Sequence, residues 1–113
     1  MEHSHEIESE ILKLHLKGDL IGENDGTELL SVVTDTINDG IVYGCVDISE
    51  VRYINSSGIG VLITMLTKFR NKGGELVLLK PSDHVQKLLL ITKLNNIFKI
   101  AEKEEEIEAF LKK

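Results

Sequence analysis

Two adjacent hydroxyls followed by glycines, in the segment from Asn55 to Gly60, are the residues of this chain best suited to reversible chemistry. The segment reads Asn-Ser-Ser-Gly-Ile-Gly and lies between a strand-like stretch and an apolar stretch with helical spacing. At the start of a helix, unpaired backbone N–H groups and the positive end of the helix dipole stabilise added negative charge. A phosphate on a serine there would carry about 1.5 to 2 negative charges near neutral pH. The segment therefore predicts a switch rather than a catalytic centre.

The same two serines also have a structural interpretation. One hydroxyl could cap the helix, while the glycines permit a tight strand-to-helix turn. The two interpretations are compatible, because a cap requires only one hydroxyl. Ser57, next to the first helical glycine, is the predicted cap. Ser56 is then the predicted phosphorylation site, with Ser57 as the alternative.

Other kinds of site lack the residues that they require. Gly58-x-Gly60 has no third glycine for a dinucleotide fingerprint, and no lysine follows it as in a phosphate-binding P-loop. The chain has no Gly-x-Ser-x-Gly elbow, and no histidine or carboxylate is clearly placed to activate Ser56. The four histidines and Cys45 show no metal-ligand spacing. We therefore expect no catalytic residues, no cofactor and no metal, with Cys45 as a small core residue.

The composition indicates a small cytoplasmic protein. Of the 113 residues, 42% are hydrophobic and 28% charged, which is ordinary for a globular domain. A net charge of −6 argues against nucleic acid or an anionic membrane surface as the main partner. No apolar run approaches the ~18 residues of a membrane span, and the polar start is not a signal peptide. We expect a monomer without membrane insertion and without direct contact to nucleic acid.

Alternating strand and helix patterns predict four β-α pairs. This order implies a single α/β domain over residues 1–113, in which a partly parallel sheet packs against helices and residues 1–6 are disordered. The predicted strands cover residues 11–17, 41–48, 75–79 and 97–101. Of the four predicted helices, two end near residues 38 and 71, the third follows the cap at 81–83, and the fourth is the last element of the sequence.

One helical pattern leaves two interpretations open. Val61 and Met65, four residues apart on the helix after Gly60, fall off the predicted core face, which includes Ile63. They belong either to a wide core stripe that touches a neighbouring helix, or to an exposed apolar patch within a turn of Ser56. In the second case the patch would be a partner surface.

From Asp47 to Gly60 the chain resembles the signature of STAS domains, and within them it is most similar to the bacterial anti-sigma factor antagonists. The resemblance extends over nearly the whole chain, through the segments 18–20, 72–76 and 94–100. It implies a small α/β domain with a mixed sheet and helices packed mainly on one side.

The resemblance also implies a role in partner switching. Unphosphorylated members of this family bind an anti-sigma factor that is also a serine kinase, so that the sigma factor is released. The kinase then phosphorylates the serine after the acidic residue of the motif, and a phosphatase of the PP2C type reverses this step. When the family motif is matched to this chain, the serine in that position is Ser56. The predicted partner surface comprises Asp19, Asn55, Ser57, Gly58, Val61 and Met65.

Two residues depart from the family pattern. Asn55 stands where the family commonly has Asp, and Ile21 stands where an acidic residue often follows the Gly-x-Leu turn. Each departure removes a negative charge near Ser56, which would make a phosphate easier to hold but would weaken a kinase that reads those carboxylates.

Two other functions remain open. The chain could be a scaffold or regulatory subunit of a signalling assembly or a lipid transporter, without phosphorylation. It could also bind or slowly hydrolyse a nucleotide at the Gly58/Gly60 loop.

Overall fold

A mixed five-stranded sheet forms the centre of the molecule within residues 2–21 and 23–111, the part of the chain that the computed structural model describes. The strands lie in chain order across the sheet. β1 is antiparallel to β2, whereas each later pair of neighbours is parallel. The strands are β1 (Glu2–Glu8), β2 (Ile11–Leu20), β3 (Tyr43–Ile54), β4 (Glu75–Leu79) and β5 (Lys99–Ala101).

Helices connect the parallel strands, as parallel pairing requires. They are α1 (Glu23–Asn38) between β2 and β3, α2 (Ser56–Arg70) between β3 and β4, and α3 (Asp83–Ile91), which is followed by a 3-10 helix (Leu94–Asn96) before β5. The short α4 (Glu106–Leu111) follows β5.

The two faces of the sheet carry separate apolar clusters, because successive strand residues point to opposite faces. The larger cluster joins alternate residues of β2, β3 and β4, such as Leu14 and Val46, to the buried sides of α1, α2 and α3. The smaller cluster places Ile11, Cys45 and Val77 against α4. Three helices thus cover one face and α4 the other, which confirms the predicted α/β fold with helices mainly on one side.

The predicted disorder of residues 1–6 is wrong for residues 2–6, which belong to β1, while residue 1 lies outside the described residues. In the register of this strand, Glu2 lies opposite Lys17 and Glu8 lies opposite Ile11. Nearly all of its side chains are exposed, so the sequence offers no apolar alternation by which to recognise it. The strand forms because its backbone pairs with the edge of β2.

The third strand is longer than the sequence pattern predicted. The apolar run predicts an end near Ile48, but the strand continues to Ile54. Parallel pairing with β2 persists as far as the Leu20–Ile54 pair, through two irregularities in register. This extension brings the chain directly to Asn55.

Candidate phosphorylation site at the start of helix α2

The start of α2 is fixed to the end of β2. Leu20 and Ile54 are the last residue pair of the two strands. Beyond this pair, the backbone N–H of Asn55 donates to the carbonyl oxygen of Leu20 at 3.3 Å. The Asn55 side-chain amide donates from Nδ2 to the carbonyl oxygen of Ile21 at 3.0 Å. These bonds position Ser56, the first residue of α2.

Asn55 caps α2, so the prediction that Ser57 is the cap is wrong. Asn55 has extended backbone angles, and its Oδ1 accepts from the N–H of Gly58 at 2.9 Å. Its backbone carbonyl accepts from the N–H of Ile59, also at 2.9 Å. Asparagine is as good an N-cap as serine, and its place one residue before the serine pair leaves both hydroxyls in the first helical turn.

Both serines are accessible. Ser56 and Ser57 are exposed, and no hydrogen bond joins either hydroxyl to another part of the chain that the structure describes. The first turn of α2 contains no acidic residue. A phosphate on either serine would therefore meet the positive end of the helix dipole without a carboxylate in the same turn.

Gly58 is required for packing rather than for contact with a partner. It is buried, and a Cβ atom at this position would lie 2.1 Å from the carbonyl oxygen of Leu20 and 2.9 Å from Cγ2 of Ile54. Only glycine allows this close approach. The prediction that Gly58 contacts a partner is wrong, because the end of β2 already covers it.

Met65 is a core residue, and its predicted place on a partner surface is wrong. Its side chain is fully buried in the larger apolar cluster. Val61 is half-buried and packs against the same cluster. Its Cγ2 would lie only 2.7 Å from a Cβ atom at Gly26 of α1. Of the two interpretations of this pair, the wide core stripe against a neighbouring helix is correct, because α2 packs on both the sheet and α1.

The exposed face of α2 begins at Ser56 and carries residues that the sequence pattern did not single out. Gly60, Ile63 and Thr67 follow Ser56 at intervals of three and four residues, and all are exposed. Ile63 was predicted to lie on the core face, but 36% of its surface is accessible. This face of α2 carries no charged side chain near Ser56.

Two further apolar side chains are exposed near the start of α2. Ile21 is 50% exposed and Tyr53 is 48% exposed. The backbone of Ile21 is bonded to Asn55, and Tyr53 lies two residues before Asn55. Together with Ile63 we call them the apolar rim. The signal that could have identified Ile21 and Tyr53 is the register of β2 and β3, because it pairs Asp19 with Tyr53 and Leu20 with Ile54.

Asp19 lies beside the apolar rim and forms an ion pair with Arg52. Arg52 Nη2 is 3.4 Å from Asp19 Oδ2, with both side chains accessible to solvent. Such exposed pairs contribute at most about 1 kcal/mol. Asp19, Ile21 and Arg52 line an open groove of about 570 Å³ at the end of β2.

The family of the chain follows from its match to known domains. A family model described as the STAS domain matches residues 3–107. This chain belongs to the STAS domain family.

The STAS domain is also similar to individual proteins. An anti-sigma-B factor antagonist of Listeria monocytogenes is 37% identical over 71 residues, which is 63% of this chain and 61% of that protein. The match thus spans less than two thirds of that relative's length.

Among solved structures, a Thermotoga maritima protein described as a candidate anti-sigma factor antagonist has a TM-score of 0.86 and 25% identity. That match covers 97% of this chain and 94% of the other. The phosphorylated form of the Bacillus cell fate determinant SpoIIAA has a TM-score of 0.75 and 20% identity, over 96% of this chain and 99% of the other. It shares the fold.

A polar cluster lies midway along β3 in this STAS domain. Asp47 accepts from the backbone N–H of Ser49 at 3.0 Å and from the Ser49 hydroxyl at 2.7 Å, and its other oxygen is 3.2 Å from His15 Nδ1. Burial alone would raise the pKa of Asp47, but the bonds from Ser49 and His15 outweigh it and lower the pKa below 3.8. These contacts join β2 to β3 rather than reaching the Ser56 segment.

Burial also sets the chemistry of the cysteine. It raises the pKa of Cys45 to about 12, with a further contribution from the charge of Asp47.

In the described part of this STAS domain, no group of three or more histidine, cysteine or acidic residues is placed to hold a metal ion. Residues 2–21 and 23–111 include no helix with the length and hydropathy needed to cross a bilayer.

Proposed function

We propose that this STAS domain is an anti-sigma factor antagonist, which binds an anti-sigma factor while Ser56 is unphosphorylated and is released when Ser56 is phosphorylated. The observation that carries the proposal is the accessible Ser56 hydroxyl at the first position of α2. The absence of any acidic residue in that turn supports it, since a phosphate there is stabilised by the helix dipole. The names of the Listeria relatives support the antagonist role.

The proposed partner surface is the apolar rim together with the uncharged exposed face of α2. Ile21, Tyr53 and Ile63 supply the apolar contacts in place of the buried Met65. Asp19, Asn55, Ser57 and the accessible edge of Val61 form its polar and apolar margin. A phosphate on Ser56 would add about 1.5 to 2 negative charges within this surface, and burying them against an apolar contact is unfavourable.

Asn55 makes a specific contribution to the proposal. Its amide caps α2 without placing a negative charge beside Ser56. We infer that the kinase which acts on Ser56 contacts the apolar rim instead of reading a carboxylate at position 55. In this proposal the kinase is the anti-sigma factor itself, a PP2C-type phosphatase restores the hydroxyl, and the chain acts as a cytoplasmic monomer without catalysis of its own.

The proposal is tested by incubating the chain with ATP and each anti-sigma factor kinase encoded in the source genome. The tryptic peptide from Tyr53 to Lys68 contains both serines, and its fragmentation in a mass spectrometer distinguishes them. We expect phosphate on Ser56, no labelling of Ser56→Ala, and unchanged labelling of the matched control Ser57→Ala. Labelling of Ser56→Ala at the wild-type rate would contradict the site assignment.

A further inference from the structure

The end of the molecule remote from Ser56 carries an exposed apolar tip, which we define as residues 90–97. Helices α2 and α3 both return from the carboxyl ends of the parallel strands to their amino ends, so the two helices end at the same edge of the sheet. A hydrogen bond of 2.9 Å from Arg70 Nη2 to the carbonyl oxygen of Ile97 joins the end of α2 to the tip. Ser56 lies at the opposite edge, where β3 ends.

The tip exposes three large aliphatic side chains. Leu90 is 61% exposed, Ile91 is 79% exposed and Ile97 is 44% exposed. Lys93 stands between them in the left-handed conformation with φ 61°, and it reverses the chain after α3. Single exposed aliphatic residues are ordinary, but a group of them beside one turn marks an interaction surface. Ile91 is the most exposed of the three.

The chain segment that contains the tip is locally basic. Residues 84–101 contain three lysines and no acidic residue, in a chain whose net charge is −6, and Glu102 lines the same groove as Leu90. Arg70 and Lys99 are already paired with Glu75.

Two lysines remain available beside the aliphatic residues. Lys87 and Lys93 form no ion pair with any residue of the described ranges. Lys87 precedes Ile91 by one helical turn, on the same exposed side of α3. The tip therefore combines exposed aliphatic side chains with two unpaired lysines.

We propose that the tip binds the surface of an anionic lipid bilayer. Leu90, Ile91 and Ile97 enter the boundary between headgroups and acyl chains, while Lys87 and Lys93 contact lipid phosphates. A second copy of the chain fits this surface less well, because a two-fold interface centred on the tip would bring the unpaired lysines of both copies close together. A bound molecule would direct Ser56 away from the bilayer, so this inference does not depend on the proposed function.

The test is sedimentation of the full chain with lipid vesicles. One set contains equal parts of phosphatidylcholine and phosphatidylglycerol, and the other contains phosphatidylcholine alone. We expect binding to the anionic vesicles only, with loss of binding at high salt. The double variant Leu90→Ser/Ile91→Ser should bind about tenfold or more weakly, since two buried aliphatic groups are lost. Lys87→Glu/Lys93→Glu should lose binding to a similar extent.

Matched controls are available at the other end of the molecule. Ile21→Ser changes an isoleucine that is 50% exposed, and Lys17→Glu reverses an exposed lysine in β2 that lies 3.8 Å from Glu50. Both controls should bind anionic vesicles like the unmodified chain, and thermal melts establish that every variant is folded. Equal binding to both vesicle types, no sedimentation at all, or equal effects of tip and control variants would overturn the proposal. Self-association that the tip variants abolish, without vesicle binding, would also overturn it in favour of a second copy.

Discussion

At the scale of single residues, Asn55 organises the candidate site through both ends of its amide. Oδ1 accepts from the N–H of Gly58, and Nδ2 donates to the carbonyl oxygen of Ile21. One side chain thus closes the first turn of α2 and attaches that turn to the end of β2. The two serines contribute neither of these bonds, so they remain available for modification.

This division of roles predicts different costs for two alanine substitutions. Asn55→Ala should lower the free energy of unfolding by about 1 to 2 kcal/mol, because it removes the N-cap and leaves two backbone groups unpaired. Ser57→Ala should change it by less than about 0.5 kcal/mol, as an exposed site without partners. Urea denaturation measures both values. Equal costs would contradict the assignment of Asn55 as the cap.

The lowered pKa of Asp47 predicts how the stability of the domain depends on pH. Its pKa in the folded state lies below the ordinary value of 3.8, because the hydrogen bonds from Ser49 and His15 outweigh the effect of burial. A carboxyl group with a lowered folded-state pKa stabilises the fold above its unfolded-state pKa and loses this contribution as the pH falls through the folded-state pKa. The contribution is therefore complete at neutral pH and declines below about pH 4.

The variant Asp47→Asn isolates this effect. The difference in unfolding free energy between the unmodified chain and Asp47→Asn should be constant near neutral pH and should shrink as the pH is lowered from 4. Urea denaturation at a series of pH values measures it. A difference that grows on acidification would show that Asp47 has a raised pKa instead.

At the scale of elements, the contact between α2 and the end of β2 depends on a single glycine. A Cβ atom at Gly58 would overlap the carbonyl oxygen of Leu20, whereas no atom lies within 4 Å of a Cβ atom at Gly60. The two glycines belong to the same helix and are two residues apart, so they form a matched pair.

Alanine at these two positions should have opposite effects. Gly58→Ala should destabilise the domain by about 3 kcal/mol or more, because the backbone of β2 must move. Gly60→Ala should stabilise it by about 0.5 to 1 kcal/mol, since alanine favours the helix. Thermal unfolding of the two variants provides the comparison. Destabilisation by Gly60→Ala as large as that by Gly58→Ala would show that the two positions are packed alike.

The elements also show which parts of the fold could be predicted from the sequence. Strands and helices with regular apolar spacing, such as β2 and α2, were predicted because burial on one side leaves that pattern. β1 was missed because its backbone pairing holds it without apolar side chains. Met65 was left ambiguous because the width of the buried stripe on α2 depends on α1, whose position is a tertiary property.

The candidate site was predictable to a similar extent. Ser56 could be identified as an accessible hydroxyl at a helix start from the local sequence alone. The cap could not be assigned, because asparagine and serine are both good caps and the choice depends on where β3 ends. Two members of the apolar rim, Ile21 and Tyr53, come together through the register of two strands that are distant in sequence, whereas Ile63 belongs to α2.

At the scale of the whole molecule, both ends of the sheet present exposed apolar residues. The edge with Ser56 presents the apolar rim, while the edge with the tip presents aliphatic residues and unpaired lysines. The net charge of −6 conceals the basic segment 84–101, because it averages these residues with the acidic ones elsewhere in the chain. Net charge is therefore a poor guide to the partners of this domain.

The most direct test of the proposed switch is the affinity of the proposed anti-sigma factor partner for the domain with and without phosphate on Ser56. Isothermal titration calorimetry on the two purified forms measures it, with Ser57→Ala as the control for disturbance of the helix start. We expect the phosphorylated form to bind about 100-fold or more weakly, because an uncompensated buried charge costs several kcal/mol and each tenfold in affinity is about 1.4 kcal/mol. Equal affinity of the two forms would contradict the proposed switch.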